Sequence, residues 1–254
     1  MQENSALGRA IEMVRDLRKR CSWDRVQTRE TLRPYLVEEV LELDQALADG
    51  DAAAIRDEVS DFLLHLAWQL VLADELGEFT PDDVAGDLER KMRRRHPHLF
   101  DLGLPEAWER LKRKERPGGT LDGLPANLPD LLRAFRLQER AAGVGFDWPD
   151  ATGPVLKVRE ELAEVERELA TGGTGAPPTD ALREEIGDLL FAVVNLARKA
   201  GVPPGAALDR ANRKFKARFA EVERLAQERG LELHSAGLAR LDQLWDEVKD
   251  LPHR

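Results

Sequence analysis

The chain carries one pattern of chargeable residues twice, so its fold must offer two equivalent sets of helix faces. Glu38-Glu39-Val40-Leu41-Glu42 recurs as Glu160-Glu161-Leu162-Ala163-Glu164, an offset of 122. Asp57-Glu58-Val59-Ser60-Asp61-Phe62-Leu63 recurs as Glu184-Glu185-Ile186-Gly187-Asp188-Leu189-Leu190, an offset of 127. Lys91 and Arg95 recur as Lys214 and Arg218, and Trp108 and Lys112 as Trp245 and Lys249. Packing alone would repeat apolar positions. Repeated carboxylates and cations point to a duplicated site.

The repeats read as helix throughout. Leu36, Val40, Leu43 and Leu47 follow the spacing of an amphipathic face, and Ile55, Val59, Phe62, Leu63, Leu66 and Leu70 continue it. Ile186, Leu189, Leu190, Val193 and Leu196 do the same in the second half. Gly77, Gly201 and Gly230 fall where helices should stop, and Pro81 and Pro203 near where new ones start. The expected class is all-α, two tandem helical bundle repeats.

Arg116-Pro117-Gly118-Gly119-Thr120-Leu121-Asp122-Gly123-Leu124-Pro125-Ala126-Asn127-Leu128-Pro129 is the expected seam, since its glycines and prolines cannot sit inside a stable helix. The expected organisation is therefore a first repeat over 1–116, a linker over 117–128 and a second repeat over 129–254. A second breaker run, from Thr171 to Pro178, supplies the five residues by which the two offsets differ. It lengthens a turn whose counterpart is Asp49-Gly50-Asp51.

A net charge of -10 argues against nucleic acid as the main partner, because phosphate backbones need a basic surface. The single cysteine, Cys21, forbids an internal disulfide and suggests a reducing compartment, so a cytoplasmic protein is expected. No apolar run approaches the ~20 residues that span a bilayer.

Residues three and four apart share a helix face, so Glu161 and Glu164 point the same way, as do Glu185 and Asp188 on the next helix. Two antiparallel helices would bring all four carboxylates into one cleft, where their repulsion must be offset. Hard divalent cations do this best, and Mg²⁺ also bridges to phosphates. Glu39, Glu42, Glu58 and Asp61 form the equivalent set in the first repeat. Lys214 and Arg218, with their counterparts Lys91 and Arg95, offer cations suited to phosphate. Trp245 could stack on a base or simply fill a core or dimer interface.

These features resemble a known family. The tandem acidic motifs, the leading Cys21-Ser22-Trp23-Asp24-Arg25-Val26-Gln27-Thr28, the Arg94-Arg95-His96-Pro97-His98 block and the closing Lys214-Phe215-Lys216-Ala217-Arg218-Phe219 look like MazG, the all-α nucleoside triphosphate pyrophosphohydrolases of bacteria. The likeness runs from about Leu7 to Lys249. It implies a homodimer that completes its helical bundles by dimerisation. It also implies Mg²⁺-dependent cleavage of an NTP or dNTP to the monophosphate and pyrophosphate, with Mn²⁺ as a substitute metal and broad nucleotide housecleaning as the role. By resemblance, Glu161, Glu164, Glu185 and Asp188 are the metal ligands and catalytic carboxylates. Lys157, Glu160, Glu184, Lys214, Arg218, Trp245 and Lys249 fall at substrate-contact positions.

The repeats differ in two places. Lys157, beside the second acidic motif, has Tyr35 as its counterpart, and His65 stands where the second repeat has Ala192. The second repeat is therefore the expected main active site, with His65 read as a buried neutral histidine. His96 and His98 are split by Pro97 without a nearby cysteine, which disfavours a zinc site. A di-iron bundle would need Glu-x-x-His, which is absent from the chain. A non-catalytic acidic scaffold would account for the helices but not for the repeated Lys, Arg and Trp.

Overall fold

The protein's structure, a computed structural model, describes residues 5–100, 103, 118–171 and 177–250, with Asp250 described by its backbone only. Trp108, Lys112, Arg116, Pro117 and residues 172–176 lie outside them. Ten α-helices and no strand are present among the described residues. The all-α expectation holds.

The chain forms two compact units, Met1–Leu111 and Lys112–Arg254. In the first, α1 (Ala6–Arg20) is followed by the short α2 (Ser22–Arg25), then α3 (Arg29–Asp49), α4 (Ala52–Leu76) and α5 (Pro81–Arg95). Helices α3 and α4 make a hairpin. Thr28 caps the start of α3 by accepting from the Thr31 amide at 3.3 Å, and Gly50 ends it at φ 74°, which a side chain would resist. Asp51 then caps α4 by accepting from the Ala53 amide at 2.9 Å. Helix α1 packs across α4 and closes a core of Ile11, Val14, Leu32, Trp68 and Val71. Helix α5 buries no residue and packs chiefly on the 3-10 turn Pro97–Leu99 that follows it.

The second unit contains α6 (Asp130–Ala142), α7 (Thr152–Thr171), α8 (Asp180–Lys199), α9 (Pro204–Glu228) and α10 (Leu238–Asp250). Helices α7 and α8 pair most extensively, and α6 lies on α8. Helix α9 packs on α10 around Val222, Ala226, Leu244 and Val248, with smaller contacts to α6 and α8. Residues 118–128, expected as linker, are joined to this unit: the Arg140 guanidinium donates to the Leu121 carbonyl at 3.2 Å and to the Asp122 carbonyl at 2.6 Å.

The apolar faces read from the sequence exist, but one chain only partly covers them. Val40, Leu47, Val59 and Leu66 on the first hairpin stay exposed, as do Leu162, Ile186, Leu190 and Val193 on the second. A two-helix hairpin with one further helix against it can bury only one side of each helix, so the opposite apolar side remains open. No helix among the described residues is long and apolar enough to cross a membrane.

Candidate active site

The α7–α8 hairpin brings the second acidic motif together. Glu161, Glu185 and Asp188 each contribute an oxygen to a group whose members all lie within 4.8 Å of one another. Glu160, Glu161 and Glu164 form a second such group along α7. Glu161 is common to both and is only 3% exposed. One of its oxygens is ion-paired with the Lys157 ammonium, and the other, Oε2, is buried without a hydrogen-bond partner. A buried carboxylate oxygen without a donor is costly, and a cation in the group would satisfy it. The donor set is all-oxygen and anionic, which suits Mg²⁺ or Mn²⁺ rather than a soft metal.

Electrostatics in the cleft reflect the crowding. The Glu185 carboxyl is pushed above the usual carboxylate range by loss of hydration and then by the charges of Glu164, Glu161 and Asp188. Lys157 is held protonated well above the ordinary lysine range by hydrogen bonds to Glu161 and Glu160, the latter at 3.0 Å.

The α3–α4 hairpin repeats the cluster in the first unit. Glu39, Glu58 and Asp61 each offer an oxygen within 4.8 Å of the others. Desolvation raises both Glu39 and Glu58, and Glu42 adds to the repulsion on each. In place of a lysine beside Glu39, the His65 Nε2 lies 3.9 Å from its Oε1. Burial lowers the His65 pKa, so this imidazole is neutral at pH 7.

The remaining expected residues are less tightly gathered. Lys214 is exposed on α9 and makes no ion pair among the described residues, while Arg218, one turn on, is half-buried. Trp245 is half-buried, packed on the α9–α10 core with its ring centroid 5.3 Å from that of Phe215. Lys249 pairs with Asp246 at 2.6 Å, and Glu184 is exposed. Lys91 and Arg95 are half-buried on α5.

Sequence reading passed over a cavity of about 480 Å³ that opens beside the second cluster. It is lined by Lys157, Glu161 and Asp188 of the cluster and by Gln138, Phe146, Trp148, Phe191 and Asn195 among others. Its wall is firmly built. Asp147 is ion-paired with Arg198 and lies 3.3 Å from the Lys199 ammonium, which also donates to the Trp148 carbonyl at 2.7 Å. The Trp148 indole lies so close to Gly153 that a Cβ there would meet its Cδ1 at 2.0 Å. The available signal was Gly145-Phe146-Asp147-Trp148, which pairs an aromatic with an aspartate after the first helix of its repeat, as Trp23-Asp24 does.

Both clusters fall in segments of sequence that match a known domain family. The MazG nucleotide pyrophosphohydrolase domain matches residues 27–100 and again 153–222, which include both acidic clusters and both Lys/Arg pairs. A protein named nucleoside triphosphate pyrophosphohydrolase from Escherichia coli (strain K12) is 39% identical over 251 residues, 94% of each chain. Nucleoside triphosphate pyrophosphohydrolase/pyrophosphatase MazG of Thermotoga maritima is 39% identical over 235 residues, 90% of this chain and 89% of its own. The uncharacterized protein YabN of Bacillus subtilis is 38% identical over 254 residues, 95% of this chain and 51% of its own.

Proposed function

This chain belongs to the MazG nucleotide pyrophosphohydrolase family, and from that premise we propose that it hydrolyses nucleoside triphosphates to the monophosphate and pyrophosphate, mainly in the cleft between α7 and α8. The observation that carries the reading is Glu161: a buried carboxylate shared by two acidic groups, with one oxygen on Lys157 and the other left unsatisfied. Glu161, Glu164, Glu185 and Asp188 would hold Mg²⁺, or Mn²⁺ in its place, and the metal supplies positive charge for the polyphosphate and the attacking water.

The chain's own groups do the rest. Lys157, at the junction of cluster and cavity, holds a phosphate oxygen, and Lys214 and Arg218 neutralise charge further along the polyphosphate. The oxygen of water bonds to the α-phosphorus with pyrophosphate as the leaving group, or to the β-phosphorus with the monophosphate as the leaving group; in either case the bridging P–O bond breaks and the water gives up a proton. Glu160, Glu184, Trp245 and Lys249 complete the contacts. The exposed apolar faces of α3, α4, α7 and α8 support a homodimer in which a second chain covers them.

The test is product identity. Incubation of the protein with an NTP and Mg²⁺ should release pyrophosphate and monophosphate in equal amounts. Release of orthophosphate with a nucleoside diphosphate would overturn the proposal.

A further inference from the structure

The first acidic cluster has a histidine beside it that the second lacks. His65 lies one turn after Asp61 on α4, and its match at the offset of 127 is Ala192. It is 5% exposed, and its Nδ1 is buried without a hydrogen-bond partner. A histidine kept in a core for structure is normally bonded through such an atom, so the fold gives this ring no use for its polar edge. The other ring nitrogen, Nε2, faces the cluster at 3.9 Å from Glu39 Oε1. That is too far for a hydrogen bond. Two atoms bound at ~2.1 Å to one ion stand about 3–4 Å apart, so the separation suits a shared metal.

Spacing and charge agree with this. Asp61 and His65 are four apart on one helix, the spacing by which two side chains of a helix reach one ion. Glu39 on α3 and Glu58 on α4 each offer an oxygen within 4.8 Å of one from Asp61. At the second cluster the place beside the buried Glu161 is taken by the Lys157 ammonium, whereas Tyr35 brings no cation to Glu39. The first repeat therefore has one nitrogen donor more and one competing cation fewer. Carboxylate and water ligands suit Mg²⁺ or Mn²⁺, while imidazole suits Zn²⁺, Fe²⁺ and Ni²⁺.

We propose that Glu39, Glu58, Asp61 and His65 form a transition-metal site, with His65 Nε2 as its nitrogen ligand, and that this site favours an ion of the Zn²⁺ or Fe²⁺ class over Mg²⁺ more strongly than the second cluster does. The two repeats then differ in the ion they select as well as in their phosphate-binding groups. The inference does not depend on the second cluster as the hydrolytic site.

Silencing one cluster at a time reads each alone. In the full-length protein, Glu185→Gln/Asp188→Asn leaves the first cluster and Glu58→Gln/Asp61→Asn leaves the second. Removing a group that merely hydrogen-bonds a metal ligand costs about 10–100-fold in metal affinity, and loss of a ligand itself costs no less. Calorimetric titration without nucleotide should therefore show a Zn²⁺-over-Mg²⁺ preference about tenfold or more larger in the protein that keeps the first cluster. Mn²⁺ bound to that protein should show nitrogen modulation in its electron spin echo, and Mn²⁺ at the second cluster should not. His65→Gln, added to the protein that keeps the first cluster, should remove the modulation and weaken Zn²⁺ by about tenfold or more, with Mg²⁺ affinity little changed. Thermal melting in chelator reports whether the His65→Gln protein folds. If it does not, the comparison between the two silenced proteins, both of which keep His65, still decides. Equal metal preferences, an echo without nitrogen, or a first cluster that binds no metal would each overturn the proposal. Pyrophosphate release from the second cluster is untouched by any of these results, so failure here is distinct from failure of the proposed function.

Discussion

Lys157 is ion-paired, one helical turn away, with the buried carboxylate of Glu161. At the matching positions of the first repeat, Tyr35 stands before Glu39, and His65 Nε2 from the facing helix lies 3.9 Å from that carboxylate. The same glutamate is thus neutralised by a permanent cation in one unit and approached by a neutral imidazole in the other. A cationic partner can pass from the carboxylate to an incoming phosphate once a metal takes over the carboxylate. A neutral imidazole packed in place has no comparable charge to offer.

Lys157→Met should therefore affect stability and catalysis with different metal dependence. Removing one partner of a buried pair costs ~3–5 kcal/mol, and the partial exposure of Lys157 reduces this to about 1–2 kcal/mol. The lysine's folded pKa is raised, so its contribution is constant across neutral pH and is lost only as pH climbs through that raised value. Thermal melting in chelator at pH 7 should show a drop of several degrees, largely recovered with Mg²⁺. The kcat/KM should still fall roughly tenfold or more with saturating Mg²⁺, since a charged phosphate contact is lost. Full recovery of activity by metal would show that Lys157 serves Glu161 alone.

The acidic cluster should make the metal-free protein less stable as pH rises. Glu185 has a folded pKa above its unfolded value, so the native state binds more protons than the unfolded one between the two. Stability from this group is greatest below the ordinary glutamate pKa of about 4.3 and declines as pH rises through the raised value. Glu185→Gln should flatten this slope in chelator and abolish turnover with helicity intact. Urea midpoints between pH 4 and pH 7, with and without Mg²⁺, check it. An identical slope in the variant would show that the cluster does not crowd the native state.

Asp147 should behave in the opposite sense. The Arg198 guanidinium, then Lys199, hold its carboxyl below the usual aspartate range. A depressed folded pKa gives stability that is present above about pH 3.9 and lost as pH falls through the folded value. Asp147→Asn should cost about 1.5–3 kcal/mol at pH 7, because charged hydrogen bonds are lost and Arg198 is left half-satisfied. The difference from wild type should shrink at pH 3. Because Asp147 tethers the loop carrying Phe146 and Trp148, KM for nucleotide should rise more than kcat falls. An unchanged KM would separate this loop from the nucleotide.

The helices, their hairpin pairing and the two acidic clusters were legible in the sequence because each depends on spacing within one or two adjacent helices. Glu161 and Glu164 share a face by geometry alone, and the Gly50-Asp51 link leaves α3 and α4 little choice but to pair. The cavity was not legible for the same reason. Gln138 and Asn195 are single polar residues on different helices, and Ala192 matters only for the volume it does not fill. Burial was over-read: Val40, Leu47, Val59 and Leu190 follow a core period, yet their partner surface is not supplied by the neighbouring helices of their own unit. Trp245 reads in the sequence as either a base-stacking or a core aromatic, and in the structure it is a half-buried ring on the α9–α10 core, its centroid 5.3 Å from that of Phe215.

The two repeats can be set directly against each other. Both hold three carboxylates within one metal's reach, so Asp61→Asn and Asp188→Asn remove chemically equivalent groups. Their surroundings are not equivalent. Asp188 borders the open cavity together with Lys157, whereas the α4 positions matching Ala192 and Asn195 hold the buried His65 and Trp68. A missing lysine contact weakens nucleotide binding by about 1.5–3 kcal/mol, which is tens-fold or more. Turnover under saturating Mg²⁺ should therefore nearly vanish in Asp188→Asn and persist in large part in Asp61→Asn. Metal titration should still show one site lost in each variant, which separates a silent site from an absent one. Equal losses of turnover would mean two equivalent or coupled sites, and a larger loss for Asp61→Asn would move the main active site to the first repeat.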